Sequence, residues 1–212
     1  MPQFEQKSRC ASEELAKFAG VTRVQANTLA RMMYATNFQV ARKPSRPDQV
    51  EVFTSSSGVK VYRNPGAFPR AWIVHEALPI QRDDQITGYL QAASFDPKRQ
   101  TFVKGKAPGL QKCDKPEWAT LIERQAGKME IVATLGCRGM MIAAETYFPG
   151  WVATVDGKAA PVYEAYGFLR GVVVEAGTHR IEMRYRPKSV YWGAALTALG
   201  LAGAVLLGFR RG

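Results

Sequence analysis

Tyr147 and Trp151 flank a Pro149-Gly150 turn, and flat rings in such a place can stack on a sugar ring. The same residues serve as a plug at a strand corner, and a Pro-Gly turn between aromatics favours that structural role. Asp156 has the chemistry of a metal ligand or an acid, but Gly157 beside it makes turn chemistry the better account. His179 stands two residues after Gly177, where a strand start holds a structural histidine. His75 and Glu76 bring imidazole and carboxylate together in sequence. Successive residues of a strand point to opposite faces, so the two cannot act on one atom. Asp83 and Asp84 suit the start of a helix, where the backbone dipole favours negative charge. The sequence contains no Gly-rich phosphate loop, no metal-ligand cluster and no nucleophile elbow. No catalytic residue, metal ligand or cofactor is therefore expected. Tyr147, Trp151 and His179 stay as the glycan-binding candidates.

The elements that must position these residues are strands. Ser12-Glu13-Glu14 can open a short amphipathic helix through Leu15 and Phe18, and Leu29 to Met33 read as helical. Phe38 to Val40 read as a strand stopped by a proline-rich stretch. Val50 to Phe53 and Val59 to Tyr62 flank Ser55-Ser56-Ser57-Gly58, a hairpin signal. Ala71 to His75 and Gln100 to Val103 are further strands, with a short helix from Asp83 through Leu90. From Ala119 the pattern is all β: Thr120–Arg124, Met129–Leu135, Met140–Glu145, Trp151–Val155, Ala160–Tyr163, Leu169–Val174 and His179–Tyr185. Asp156-Gly157 suits a two-residue hairpin turn, because both positions tolerate positive φ. Short strands at this spacing predict a sandwich.

The run from Ser189 to Phe209 contains no Asp, Glu, Lys, Arg or His. As a helix it spans roughly 31 Å, about one hydrocarbon core. Tyr191 and Trp192 stand at its start, where aromatic rings favour the membrane interface, and Arg210 and Arg211 close its end. Gly200, Ala204 and Gly208 form a ridge of small residues that lets helix backbones approach closely in lipid. Other transmembrane helices are thus expected partners, alongside the bilayer itself. The basic residues on either side of the run do not decide its orientation. The first 30 residues carry no apolar signal segment. Read literally, the domain is cytosolic and tail-anchored; preceding helices of a longer protein would place it outside.

The net charge of +11 implies attraction to an anionic surface. Its positive residues are scattered, with no aromatic-basic nucleic-acid motif, and those beside the apolar run favour lipid over nucleic acid. Cys10, Cys113 and Cys137 show no Cys-x-x-Cys spacing, which argues against a zinc ribbon or redox motif. An odd count argues against a disulfide framework. One Cys113–Cys137 bridge in an oxidising compartment stays open.

Several landmarks occur in order: Val61-Tyr62 with Asn64-Pro65, Pro69-Arg70-Ala71, Phe95-Asp96-Pro97, Tyr147 to Trp151, Asp156-Gly157, Gly177 with His179, and Tyr185 with Pro187 ahead of the apolar run. In these the chain resembles the C-terminal part of the YfhO family of bacterial multi-pass membrane proteins. The resemblance covers about residues 50 to 209 and more weakly 27 to 43. It implies a relation to C-type glycosyltransferases, an extracytoplasmic β-sandwich, and work on cell-envelope glycans carried by polyprenyl phosphate. The family carries many membrane helices ahead of this region, with the catalytic acid in an early loop, and no residue here corresponds to it. A fragment of a longer protein reconciles the two.

The expectation is a mainly β (α+β) chain: an antiparallel β-sandwich with a few short helices, then one C-terminal transmembrane helix. It divides into a lead-in at 1–49, mixed strand and helix at 50–118, a sandwich part at 119–188, and the membrane helix at 189–209. The expected function is the extracytoplasmic sandwich and last membrane helix of a YfhO-like protein, without catalysis of its own. Its expected place is the bacterial cell membrane, its partners the bilayer, other helices and a cell-envelope glycan, with no nucleic acid. Two alternatives stay open: an autonomous membrane-anchored carbohydrate-binding module, and a tail-anchored, basic cytosolic interaction protein.

Overall fold

In the computed structural model the described residues are 32–211, apart from 83, 84, 87, 88, 90, 91 and 93, with side chains described up to residue 201. The expected helix through Leu15 and Phe18, residues 29–31 of the one expected at Leu29 to Met33, Cys10, and Asp83 and Asp84 lie outside them; Met32 and Met33 are helical.

Turn chemistry sets the local structure. Asp156 and Gly157 both adopt positive φ, 50° and 79°. They close a two-residue hairpin between β10 (Trp151–Val155) and β11 (Lys158–Ala160). This conformation matches the right-handed twist of the flanking strands. The hairpin at Ser55–Gly58 likewise joins β2 (Val50–Thr54) to β3 (Lys60–Arg63), and β1 (Phe38–Ala41) pairs with the other side of β3.

The remaining strands form two larger sheets. A five-stranded sheet runs β11-β10-β14-β8-β7, with β7 (Trp118–Gln125), β8 (Lys128–Leu135) and β14 (Gly177–Tyr185). A six-stranded sheet runs β4-β9-β13-β12-β6-β5. Its strands are β4 (Ala71–Val74), β5 (Glu76–Ile80), β6 (Gln100–Lys104), β9 (Gly139–Thr146), β12 (Val162–Ala165) and β13 (Leu169–Val174). The chain is therefore mainly β, with three sheets consistent with a sandwich. Two details depart from expectation. β5 and β6 are parallel, and the expected single strand Ala160–Tyr163 is split. Pro161 lacks an N–H for a ladder, so β11 ends before it and β12 starts after it in the other sheet.

Two cores flank the six-stranded sheet. One contains Met129, Ile131, Ala133 and Leu135 of β8 together with Met141, Ala143, Val172 and Val174 of the facing sheet. Alternate residues of each strand fill it, as period-2 geometry requires. The other core packs Met140, Ile142, Ala144 and Leu169 against Met33, Phe68 and Phe102. Phe68 meets Trp72 edge-on at 5.1 Å. Buried Tyr166 shares its hydroxyl proton between the Pro97 and Gln100 carbonyls, at 2.6 and 2.8 Å; burial pushes its pKa up.

Helix α1 (Lys188–Arg211) follows β14 after two residues. Its residues from Lys188 to Leu201 are all exposed, and a Cβ added at Gly193 or Gly200 would meet nothing within 4 Å. Among the described residues no helix is long and apolar enough to cross a membrane. The uncharged run continues to Phe209 in sequence, and the side chains of Ala204 and Gly208 lie outside the description.

Candidate functional site

The end of the sandwich that carries α1 is built by strand parity. Trp151 pairs with Tyr185, Ala153 with Met183 and Val155 with Ile181. Paired residues of antiparallel strands point to the same face, so Trp151 and Tyr185 lie on the inward face at the mouth of the core. Their rings meet at 5.4 Å. Gly150 has φ +105°, and a Cβ there would stand 3.0 Å from Pro187 Cα. The Arg186 N–H donates to the Gly150 carbonyl at 2.7 Å. The turn between Tyr147 and Trp151 thus clamps the chain just before α1.

Four charged side chains meet at this mouth. β7 has a register shift between Leu121, opposite Ile131, and Glu123, opposite Glu130. That bulge reverses the alternation, so Arg124 pairs with Met129 and faces inward. Re-aiming a side chain is what bulges do. A second register shift separates Leu169, opposite Thr146, from Arg170, opposite Ala143. It lies beside Glu145; Arg170 shares the inward face of Val172 and Val174 by plain alternation and so points into the same mouth. Arg170 is 5% exposed, with its guanidinium 3.5 Å from the centre of the Trp151 ring. Its Nε donates to the Thr146 carbonyl at 2.9 Å, and Nη1 lies 3.3 Å from Met129 Sδ. Burial pushes its pKa down to about 10, against the pull of Glu145 and with a push from Arg124. Glu145 Oε1 is 2.6 Å from Arg124 Nε and 3.8 Å from Arg70 Nη1. That oxygen is buried and makes no hydrogen bond of ordinary geometry.

The opposite end of the sandwich is histidine-bearing. The His179 Nδ1–Asp156 Oδ2 distance is 2.6 Å. That hydrogen bond holds the imidazole above its ordinary pKa. Asp156 also accepts the Arg180 N–H at 2.8 Å, which, with His179, holds its carboxyl low. Nearby, His75 Nε2 lies 2.6 Å from Glu117 Oε2 and Nδ1 2.7 Å from the Gln111 carbonyl. Glu76 instead accepts from Gln100 at 2.7 Å, so His75 and Glu76 work apart, as alternation requires. Glu117 was not legible as a partner, because it lies 42 residues away from His75 in sequence. His75, Cys113 and Glu117 offer ligand atoms within 4.8 Å of one another. Cys113 is however bonded to Cys137, with Cα atoms 5.8 Å apart, and a disulfide sulfur is not the thiolate that binds metal.

Of the expected glycan contacts, Tyr147 and Trp151 share the helix end. His179 stands at the other, roughly 20 Å along β14 at about 3.3 Å per residue. One face of Trp151 is already covered by Arg170. The charged group Arg70, Arg124, Glu145 and Arg170 was missed. Its one sequence signal is a lone arginine in the otherwise apolar Leu169–Val174.

Residues 125–197 match the family described as bacterial membrane protein YfhO. The matched segment runs from the end of β7 through β14 into α1, and bears out the resemblance read from the C-terminal landmarks. No curated protein and no solved structure matches the chain.

Proposed function

We propose that this chain is the extracytoplasmic β-sandwich and last membrane helix of a YfhO-like protein of cell-envelope glycan synthesis, contributing packing and positioning, not catalysis. The observation that carries the reading is α1. From Lys188 to Leu201 the helix is exposed on every side among the described residues, and an apolar surface of this kind is stable when lipid or other helices surround it. Phe148 (58% exposed) belongs to the turn whose Gly150 abuts Pro187, and Tyr191 (62%) and Trp192 (70%) start α1 just beyond it. They suit the headgroup layer, where amphipathic rings partition. The Cys113–Cys137 bond supports the outer side, because disulfides persist in oxidising compartments. The small-residue ridge Gly200, Ala204 and Gly208 then faces neighbouring helices. A sugar ring would meet the domain at the Tyr147–Trp151 corner.

The test is alkaline carbonate extraction of membranes from cells expressing the full chain. Wild type should stay in the pellet. Leu199→Arg combined with Leu201→Arg should release it, because each central arginine costs about 2.5–3.5 kcal/mol in a membrane helix. Complete release of the wild type would overturn the reading.

A further inference from the structure

We propose that the helix-end mouth of the sandwich binds a phosphate group, held by the guanidiniums of Arg70, Arg124 and Arg170. Three positive side chains gather here around one carboxylate, Glu145. The mouth is left with a surplus of two positive charges, which matches a phosphate dianion. Like charges held together in a partly desolvated place repel one another, and an added anion relieves that cost. Arg170 has a described partner for Nε and Nη1 and no hydrogen bond at Nη2 among the described residues. Arg124 approaches Glu145 through Nε and Arg70 through Nη1, so each guanidinium keeps other N–H groups for a ligand. Arg70 is 40% and Arg124 52% exposed, so the ligand enters from their side while Arg170 forms the fixed floor against Trp151. Guanidinium forks match the oxygens of phosphate. Register shifts flank the group at Leu121/Glu123 and Leu169/Arg170; the first re-aims Arg124, and bulges are over-represented beside active sites.

Phosphate could reach this mouth on a lipid or in solution. α1 leaves from the same end of the sandwich, through Pro187 against Gly150, so a lipid headgroup is within reach if α1 lies in the bilayer. The site itself rests on sandwich residues alone, and only its lipid source depends on the membrane reading.

The experiment is isothermal titration of the full chain in non-ionic micelles with dihexanoyl phosphatidic acid, dihexanoyl phosphatidylcholine and inorganic phosphate. The phosphatidic acid should bind and the zwitterionic lipid should not. Arg124→Gln and Arg70→Gln, both at exposed positions, should each weaken binding roughly tenfold, the scale of a lost charge-assisted hydrogen bond. Glu145→Gln should tighten it, because it removes the competing carboxylate. Lys158→Gln, at the far hairpin, should leave it unchanged. Phosphatidic acid binding well above inorganic phosphate identifies a lipid source; equal binding identifies a free phosphate; either supports the site. The proposal is overturned if neither phosphate ligand binds, or if Arg124→Gln and Arg70→Gln behave as Lys158→Gln does. Carbonate extraction is unaffected by either result, so the site and the membrane reading fail separately.

Discussion

Replacing Cys113 and Cys137 together by serine opens a loop whose ends are 24 residues apart. In the chain-entropy account, closing a loop of that length withholds about 3.5 kcal/mol of disorder from the unfolded chain. The folded protein should lose about that much stability. Native contacts should partly survive, because Glu117 holds the Gly136 N–H at 2.8 Å and the Gln111 N–H donates to the Arg138 carbonyl at 2.9 Å. The assay is urea unfolding of the full chain in non-ionic micelles, followed by tryptophan fluorescence. With a slope of about 2 kcal/mol/M, the midpoint should fall by roughly 1.7 M. Cys10→Ser serves as control and should not move it. An unchanged midpoint in the double variant would refute the reasoning. So would wild-type protein in which all three cysteines react with a thiol reagent without reductant.

Gly150→Ala should destabilise the fold by about 1–3 kcal/mol, because φ +105° is left-handed backbone and the new Cβ would press on Pro187; thermal unfolding reads this, and an unchanged Tm would contradict it. Arg180→Met should cost about 1–2 kcal/mol by stranding Glu130, whose side chain is 6% exposed and 2.8 Å from Arg180; chemical denaturation checks it. The Asp156–His179 pair should stabilise most between about pH 4 and 6.5. Asp156, held below its ordinary 3.8, contributes above that value and loses its contribution as pH falls through its lower folded pKa. His179, held above 6.5, contributes fully below that value and loses it as pH rises through its higher folded pKa. Asp156→Asn should therefore lower the His179 pKa in an NMR titration, and an unchanged or higher value would show that the carboxylate is not the cause.

Where turns carry their own chemistry, the sequence was readable. Asp156-Gly157 and Ser55–Gly58 both close the hairpins expected of them, and the strict alternation of Met129, Ile131, Ala133 and Leu135 placed β8 and its core face. β9 is buried along almost its whole length, since the six-stranded sheet has a core on each side, so its burial shows no alternation. β5 was missed: Pro79 argues against a strand, yet β5 is an edge strand, where a missing N–H is tolerated. The charged mouth was hidden for a related reason. Arg124 belongs by simple alternation to the face opposite Leu121's odd-numbered neighbours, and only a bulge brings it inward. Glu145 lies on β9 and Arg70 in the bend just before β4, and no local pattern specifies that these two strands pair. Arg170 alone stood out, as a charge in an apolar strand.

The central claim is a sandwich held outside the membrane by α1. Ser56 is exposed at the tip of the β2–β3 hairpin. A Ser56→Cys chain in a Cys10→Ser background can be treated with a membrane-impermeant maleimide in intact spheroplasts. The account predicts labelling without lysis, on protein that sediments with the membranes. Labelling only after permeabilisation, or protein found in the soluble fraction, would contradict it.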